Sequence, residues 1–571
     1  MKLSQLLIGL SVLSAVPAIA QDRGNEWERS EIRHILLISV DGMHAVDYLN
    51  CSKGIPTANN GAPYCPHIAA LGKRGINYVA ASTSRPSDSF PGLTAIITGA
   101  TPRTSGAYYD VAYDRSLDAP AKTTGNGTVG ALGLCTAGAP PTGTTTEYEE
   151  AIDKDQSLLN GGEAGAPLTG GSVRAIDPMR LPRNPKNGCK PVWPWEFVRV
   201  NSIFTVIHEA GGYVAWSDKH AAYSSVSSGK DGYILNDFYS PEINSGVVAL
   251  PGVHTPTGIN CSVLHDTSDL SDWTRGFNNI QCYDQLKVTG ILNQIDGKTH
   301  DGSMSAPVPE LFGMNFQAVS IGQKLIEKNG PTGGYKDGLG SPTPSLLTEF
   351  QFVDDSIGEM VDHLEDAGLL DKTLIVITAK HGQSPIDPSR FFGIPGTSGT
   401  GGTSPGDILD SYLPASEANS SGGVGTTEDD ISLLWLKHSS DTHAAVGILE
   451  ANATKAGIGE IFYDNALSKN YGSPLTDPRV PDIIVQPRTG VIYTGSARKL
   501  SEHGGFAYDD TNVVLLLSNP DFDAKTVHAD VSTAQVAPTI LKVLGIDPNK
   551  LDGVRLEGTA VLPAAELEEL E

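Results

Sequence analysis

Past its first twenty residues the chain holds no apolar run approaching the roughly 18 residues that a membrane-spanning helix needs, so no membrane span is expected. Positive charge is scarce too. Lys and Arg number 40 against 66 Asp and Glu, a formal net charge of −26. That balance argues against a nucleic-acid duplex as partner, because such affinity rests on cations that neutralise phosphates. It suits a solubilised extracellular surface. Cysteine is sparse and confined to the N-terminal half: Cys51, Cys65, Cys135, Cys189, Cys261 and Cys282.

The chain begins MKLSQLLIGLSVLSAVPAIA, with Lys2, an apolar run from Leu6 to Val16 and small residues at Ala18-Ile19-Ala20. This is the pattern of a secretory signal peptide over residues 1–20 and predicts a secreted, extracellular protein. An even cysteine count behind such a segment favours disulfides over reactive thiols. Sequence leaves the connectivity open, and pairing of neighbours is the expectation: Cys51–Cys65, Cys135–Cys189 and Cys261–Cys282. Sequons at Asn50, Asn126, Asn260, Asn419 and Asn452 are compatible with glycosylation.

Apolar runs recur with helical stretches between them, as in α/β folds with a mostly parallel sheet flanked by helices on both faces. Strands are expected at His34 to Val40, Tyr213 to Ser217, Leu374 to Thr378, Ser432 to Leu436, Asp482 to Gln486 and Asn512 to Leu517. Helices are expected at Thr348 to Ala367 and at Ser532 to Leu544, the latter stopped by Gly545. The α/β domain is expected over residues 21–560, ahead of an acidic tail at 561–571. Loop-rich insertions fall at about 119–191 and 246–308, with a Gly/Ser/Thr-rich loop at about 395–425.

Four segments end a strand or open a helix with polar residues, where open α/β sheets bind ligands. In HILLISVDGMH an apolar run leads into Asp41, which either binds a metal or closes the strand as an Asx turn. In RPSDSFPGLTAIITGATPRTSGAYYD, Ser89 precedes a helical run. It reads as a nucleophile beside helix amides or as an N-cap. TLIVITAKHGQSPID presents Lys380 and His381, and KLSEHGGFAYDDTNVVLLLSNP presents His503. Two loop histidines, each followed by glycine, are candidate metal ligands.

Together and in this order the segments resemble the alkaline phosphatase superfamily, most closely its type I phosphodiesterase and nucleotide pyrophosphatase branch. The resemblance implies an alkaline phosphatase-like fold with Ser89 as nucleophile and Asp41, His381 and His503 as metal ligands. It departs from the family pattern at three places. Lys380 stands where an Asp ligand is expected, Asn315 in GMNFQAVSIGQK stands in place of a carboxylate, and Gly92 replaces an Asn. Exchanging a carboxylate for an ammonium raises the local charge by about that of one divalent ion, so Lys380 can stand for a zinc. One metal at most is expected, held by Asp41, His381, His503 and the Asn315 amide oxygen. Zinc is the first choice, with calcium or magnesium if oxygens dominate.

Asp218, Lys219 and His220 in GGYVAWSDKHAAY are expected to line the same mouth and bind a small phosphorylated or anionic substrate. Asp110, Asp114, Arg115, Asp237 and Glu242 are weaker candidates. The implied activity is hydrolysis of a phosphodiester or phosphomonoester through a phosphoseryl intermediate. The alternatives are a sulfate or phosphonate ester hydrolase, or a catalytically degenerate member that binds an extracellular anion or ligand.

Overall fold

The computed structural model describes residues 32–121, 135–147, 173–244, 254–261, 272–395, 402–414, 427–494 and 496–565. The segment expected as a signal peptide, the sequons at Asn126 and Asn419 and most of the expected acidic tail lie outside them. The main sheet has eight strands: β1 His34–Val40, β2 Gly75–Tyr78, β3 Ala215–Ser217, β4 Asp237–Tyr239, β5 Leu311–Phe316, β6 Thr373–Thr378, β7 Leu515–Ser518 and β8 Lys525–Val527. Their order is β8-β2-β7-β6-β1-β5-β3-β4. β1 pairs in parallel with both β5 and β6, and the outer strands β3 and β4 keep that direction. β7 runs against both its neighbours.

Strand residues alternate between two cores, because successive side chains point to opposite faces. Ile35, Leu37, Leu374 and Val376 enter the core that also holds Leu93, Ile96, Phe204 and Ile540. Leu36, Ile38, Ile375 and Ile377 enter the other, with Ile68, Leu286, Phe350 and Ile357. The first face is covered by helices α3 Ser89–Thr98, α4 Ile203–Glu209 and α8 Val536–Val543. The second is covered by α1 Ala45–Lys53, α2 Pro66–Gly72, α5 Phe277–Ile295, α6 Ala318–Lys324 and α7 Pro344–Asp366. Each fully buried Leu or Ile contributes about 1.5–3 kcal/mol, so both faces have large apolar driving forces. The expected α/β class, mostly parallel with helices on both faces, is the one observed.

Two expected strands belong elsewhere. Ser432–Leu434 and Ile483–Pro487 pair antiparallel in a separate four-stranded sheet with Thr427–Glu428 and Ile458–Phe462. Helix α5, inside the stretch read as an insertion at 246–308, is 19 residues long and packs into the second core. The disulfides join Cys51 to Cys65, Cys135 to Cys189 and Cys261 to Cys282, as expected. Among the described residues no helix is long and apolar enough to cross a membrane.

Candidate active site

The strand ends on one side of the sheet converge as the parallel arrangement requires. Asp41 follows β1, Asp218 and Lys219 follow β3, Asn315 and Gln317 stand at the end of β5, and Lys380 and His381 follow β6. Ser89 is the first residue of α3. The N-cap is its neighbour Asp88, whose carboxylate accepts from the Phe90 amide at 2.9 Å. The cap alternative therefore belongs to Asp88, and the Ser89 hydroxyl faces the site.

Ser89 Oγ lies 3.2 Å from His381 Nε2 and donates to Asp41 Oδ2 at 3.3 Å. It accepts from Lys219 Nζ at 3.0 Å. His381 Nδ1 is 3.0 Å from the Gly382 carbonyl. A carbonyl only accepts, so Nδ1 carries a proton, and Nε2 faces both the Ser89 hydroxyl and, at 3.6 Å, Asp41 Oδ2. The His503 ring packs beside His381 with centroids 4.2 Å apart, and its Nδ1 is 3.5 Å from Asp88 Oδ1. Two backbone hydrogen bonds between Ser87 and Gly504 tie the loop of His503 to the segment that carries Ser89. Positions 41, 89, 381 and 503 thus come together.

Asp41 is fully buried, which alone would push its carboxyl up. Lys380, His381 and Lys219 outweigh that and hold it well below the usual carboxylate range. An ionised carboxylate only accepts, so the amides around it must offer their NH2 groups. Asn315 Nδ2 donates to Oδ1 at 2.8 Å and Gln317 Nε2 to Oδ2 at 2.7 Å. The Asn315 oxygen accepts from Gln317 Nε2. This corrects the expectation for Asn315: its oxygen serves Gln317, and its amide nitrogen faces Asp41. Beneath it Lys287 donates to the Asn315 carbonyl and pairs with Asp284 at 2.9 Å, while Asp284 accepts from the Gln317 and Ala318 amides.

Lys380 is corrected as well. Its ammonium is bound to both oxygens of Asp218 at 2.9 and 3.0 Å and lies 4.1 Å over the Tyr223 ring, rather than on Ser89. The cause is Asp218, a buried carboxylate that needs a counter-charge. Asp218 also accepts from Trp216 Nε1 at 3.0 Å and the Lys219 amide at 2.8 Å, so it is an internal strut rather than a substrate contact. His220 Nδ1 pairs with Glu242 at 2.5 Å. Arg115 pairs with Asp482, Asp114 with Arg479 and Asp237 with His300, each away from Ser89.

A cavity of about 350 Å³ opens above the site, lined by Lys219, His220, Gln317, His503 and Asp110 among others. Ser89 itself has no exposed surface. Lys219 touches both the cavity and the hydroxyl and so stands between them.

These residues do not fit a two-zinc centre. Three buried lysines, 219, 287 and 380, stand beside the buried aspartates 41, 218 and 284, and an ammonium repels a dication and cannot ligate it. Among the described residues, the compact cluster of three acid, histidine or cysteine ligand atoms is His67, Asp354 and Asp355 on α2 and α7, not Asp41, His381 and His503.

Gly92 has a structural reason. A Cβ there would lie 2.1 Å from the Lys380 carbonyl oxygen. Gly92→Ala is expected to cost about 1–3 kcal/mol by overpacking. By parting α3 from His381 it should also lower activity about 100-fold, checked by denaturation and initial rates.

A second carboxylate group braces the His503 loop. Asp430 accepts from the Gly505 amide and from Ser384 Oγ, and Asp429 accepts from Tyr109 Oη at 2.7 Å. Burial, with Glu502 nearby, pushes the Asp429 carboxyl up to about 8, and burial pushes Asp510 up to about 6. With folded values above the unfolded carboxylate value of about 4, the native state holds extra protons. That stability is present in acid and is lost as pH rises from about 4 through about 8. Glu502 is held low by Lys499 and Lys324 despite its burial, and matters only below that window. Melting temperatures should therefore fall between pH 5 and pH 8, and Asp429→Asn should flatten the decline; these are bounds on a scan set by the roughly 4-to-8 window.

A model of the type I phosphodiesterase / nucleotide pyrophosphatase family matches residues 35–139 and 332–507. No curated protein matches the chain. Among solved structures it is similar to murine ectonucleotide pyrophosphatase/phosphodiesterase 5, at 13% identity over 90% of this chain and 96% of that one, with a TM-score of 0.48. The human counterpart gives 13%, 90%, 95% and 0.48. An inactive threonine-to-alanine variant of the murine protein, in complex with AMP, gives a TM-score of 0.49 at 13% identity over 90% and 96%.

Proposed function

We propose, for a chain that belongs to the type I phosphodiesterase and nucleotide pyrophosphatase family, that it hydrolyses a phosphoric ester, with Ser89 as nucleophile. The observation that carries this reading is the Ser89 hydroxyl, held between His381 Nε2 at 3.2 Å and the Lys219 ammonium at 3.0 Å. Ser89 Oγ attacks phosphorus in line and the ester oxygen leaves. Water then releases phosphate from the phosphoseryl intermediate. A small phosphorylated substrate enters by the cavity over Lys219 and His503. Three disulfides support an extracellular site of action.

The test is to quench turnover of a phosphodiester with acid and map bound phosphate by mass spectrometry. Phosphate on the peptide that carries Ser89 supports the reading; a turning-over enzyme that never labels it does not. The complete burial of Ser89 favours a second reading, a degenerate member that holds an anion or ligand without cleaving it. Phosphate, sulfate and phosphonate esters that raise the melting temperature but are never hydrolysed would establish that alternative.

A further inference from the structure

We infer that Lys219 takes the electrostatic place of a metal ion in this site, so that His381 takes the Ser89 proton and the Lys219 ammonium stabilises the phosphoryl charge without a divalent cation. The inference rests on the proposed hydrolysis and adds how that chemistry is charged.

Three observations carry it. The first is contact: Lys219 Nζ donates to Ser89 Oγ at 3.0 Å and lies 4.0 Å from Asp41 Oδ2, so one cation touches both the nucleophile and the carboxylate. The second is that Asp41 has its oxygens engaged by Asn315 and Gln317 amides, which satisfy a carboxylate without bringing a positive ion. The third is Lys380, whose ammonium is pinned to Asp218. The pair is neutral overall, and an ammonium at this strand end cannot ligate a dication.

The steps balance without a metal. The Ser89 proton passes to His381 Nε2 as the Oγ–P bond forms and the P–O bond to the leaving group breaks. The leaving oxygen departs into the cavity and, where basic, takes a proton from water. As the ester enters, the Lys219 ammonium moves from the hydroxyl to a non-bridging phosphoryl oxygen, uncovering Ser89 and neutralising charge that grows in the transition state. His381 releases its proton to solvent and then accepts one from the attacking water as the P–Oγ bond breaks. Ser89 Oγ leaves as an alkoxide beside Lys219 and is reprotonated by His381.

The test uses the full chain and bis(p-nitrophenyl) phosphate. After exhaustive chelation the rate should be unchanged. After dialysis against zinc, elemental analysis should find well under one ion per chain. Lys219→Met should lower kcat by about 100- to 1,000-fold, the range seen for one lost transition-state donor. Lys219→Arg should recover part of that loss by restoring the charge. Activity abolished by chelation and restored by zinc would overturn the inference while leaving Ser89 as nucleophile. A chain that cleaves no ester with or without metal would overturn the hydrolase reading, and this inference with it. Should Lys219→Met fail to fold, chelation and metal content of the unaltered chain decide alone.

Discussion

Ser89→Ala should reduce kcat on a phosphodiester by about 10,000-fold or more, the scale reached when a covalent nucleophile is removed. The fold should survive the change. Ser89 is the first residue of α3 rather than its cap, so the helix keeps the Asp88 carboxylate on the Phe90 amide. The lost hydroxyl removes hydrogen bonds with a net worth of about 1 kcal/mol each. Lys219 retains Asp41 at 4.0 Å as counter-charge. A variant with unchanged melting behaviour and lost turnover therefore isolates chemistry from stability. A variant as active as the unaltered chain would remove Ser89 from the mechanism. A metal-bound water attacking phosphorus directly would give that outcome.

What could be read from sequence followed how local each signal was. His34–Val40 was legible residue for residue, since a buried parallel strand is a short apolar run ending in a polar turn. Its partner Leu311–Phe316 was missed because Gly313 interrupts the run, and glycine weakens a strand reading. In three dimensions that glycine is required: a Cβ would lie 1.8 Å from the Leu37 carbonyl oxygen. The apolar runs at 432 and 482 were found but assigned to the wrong sheet. A run of buried residues carries no record of its partner strand.

The site shows the same limit. The residues 41, 89, 381 and 503 could be named because each sits in a short motif. Which lysine reaches the nucleophile could not be named, because that depends on how the ends of β3 and β6 face each other across β1 and β5. Asp218 and Lys219 are consecutive, so they diverge: one turns inward to Lys380, the other to Ser89. Gln317 stands two residues beyond Asn315 and reaches the same carboxylate, a signal present in GMNFQAVSIGQK but used only at its Asn. Asp284 and Lys287 carry a helical i, i+3 signature on α5, which points to a pair but not to what the pair supports.

The second large effect belongs to the Lys380–Asp218 pair. Both side chains are wholly buried. Asp218→Ala leaves the Lys380 ammonium without its carboxylate in a low-dielectric interior, which costs about 3–5 kcal/mol. The Tyr223 face at 4.1 Å offsets only part of this, since a desolvated cation–π contact gives about 2 kcal/mol. Trp216 Nε1 and the Lys219 amide also lose their acceptor, and with it the register that points Lys219 at Ser89. The single variant should accordingly unfold at lower urea concentration and lose turnover as well. Replacing both partners by apolar residues, Asp218→Leu with Lys380→Met, removes the stranded charge, and most of the lost stability should return. Turnover should not return with it, because the backbone anchor of Lys219 is still missing. If the single variant were as stable as the unaltered chain, Lys380 would have to find water or another carboxylate. The reading of the Lys380–Asp218 pair as the strut that points Lys219 at Ser89 would then fail.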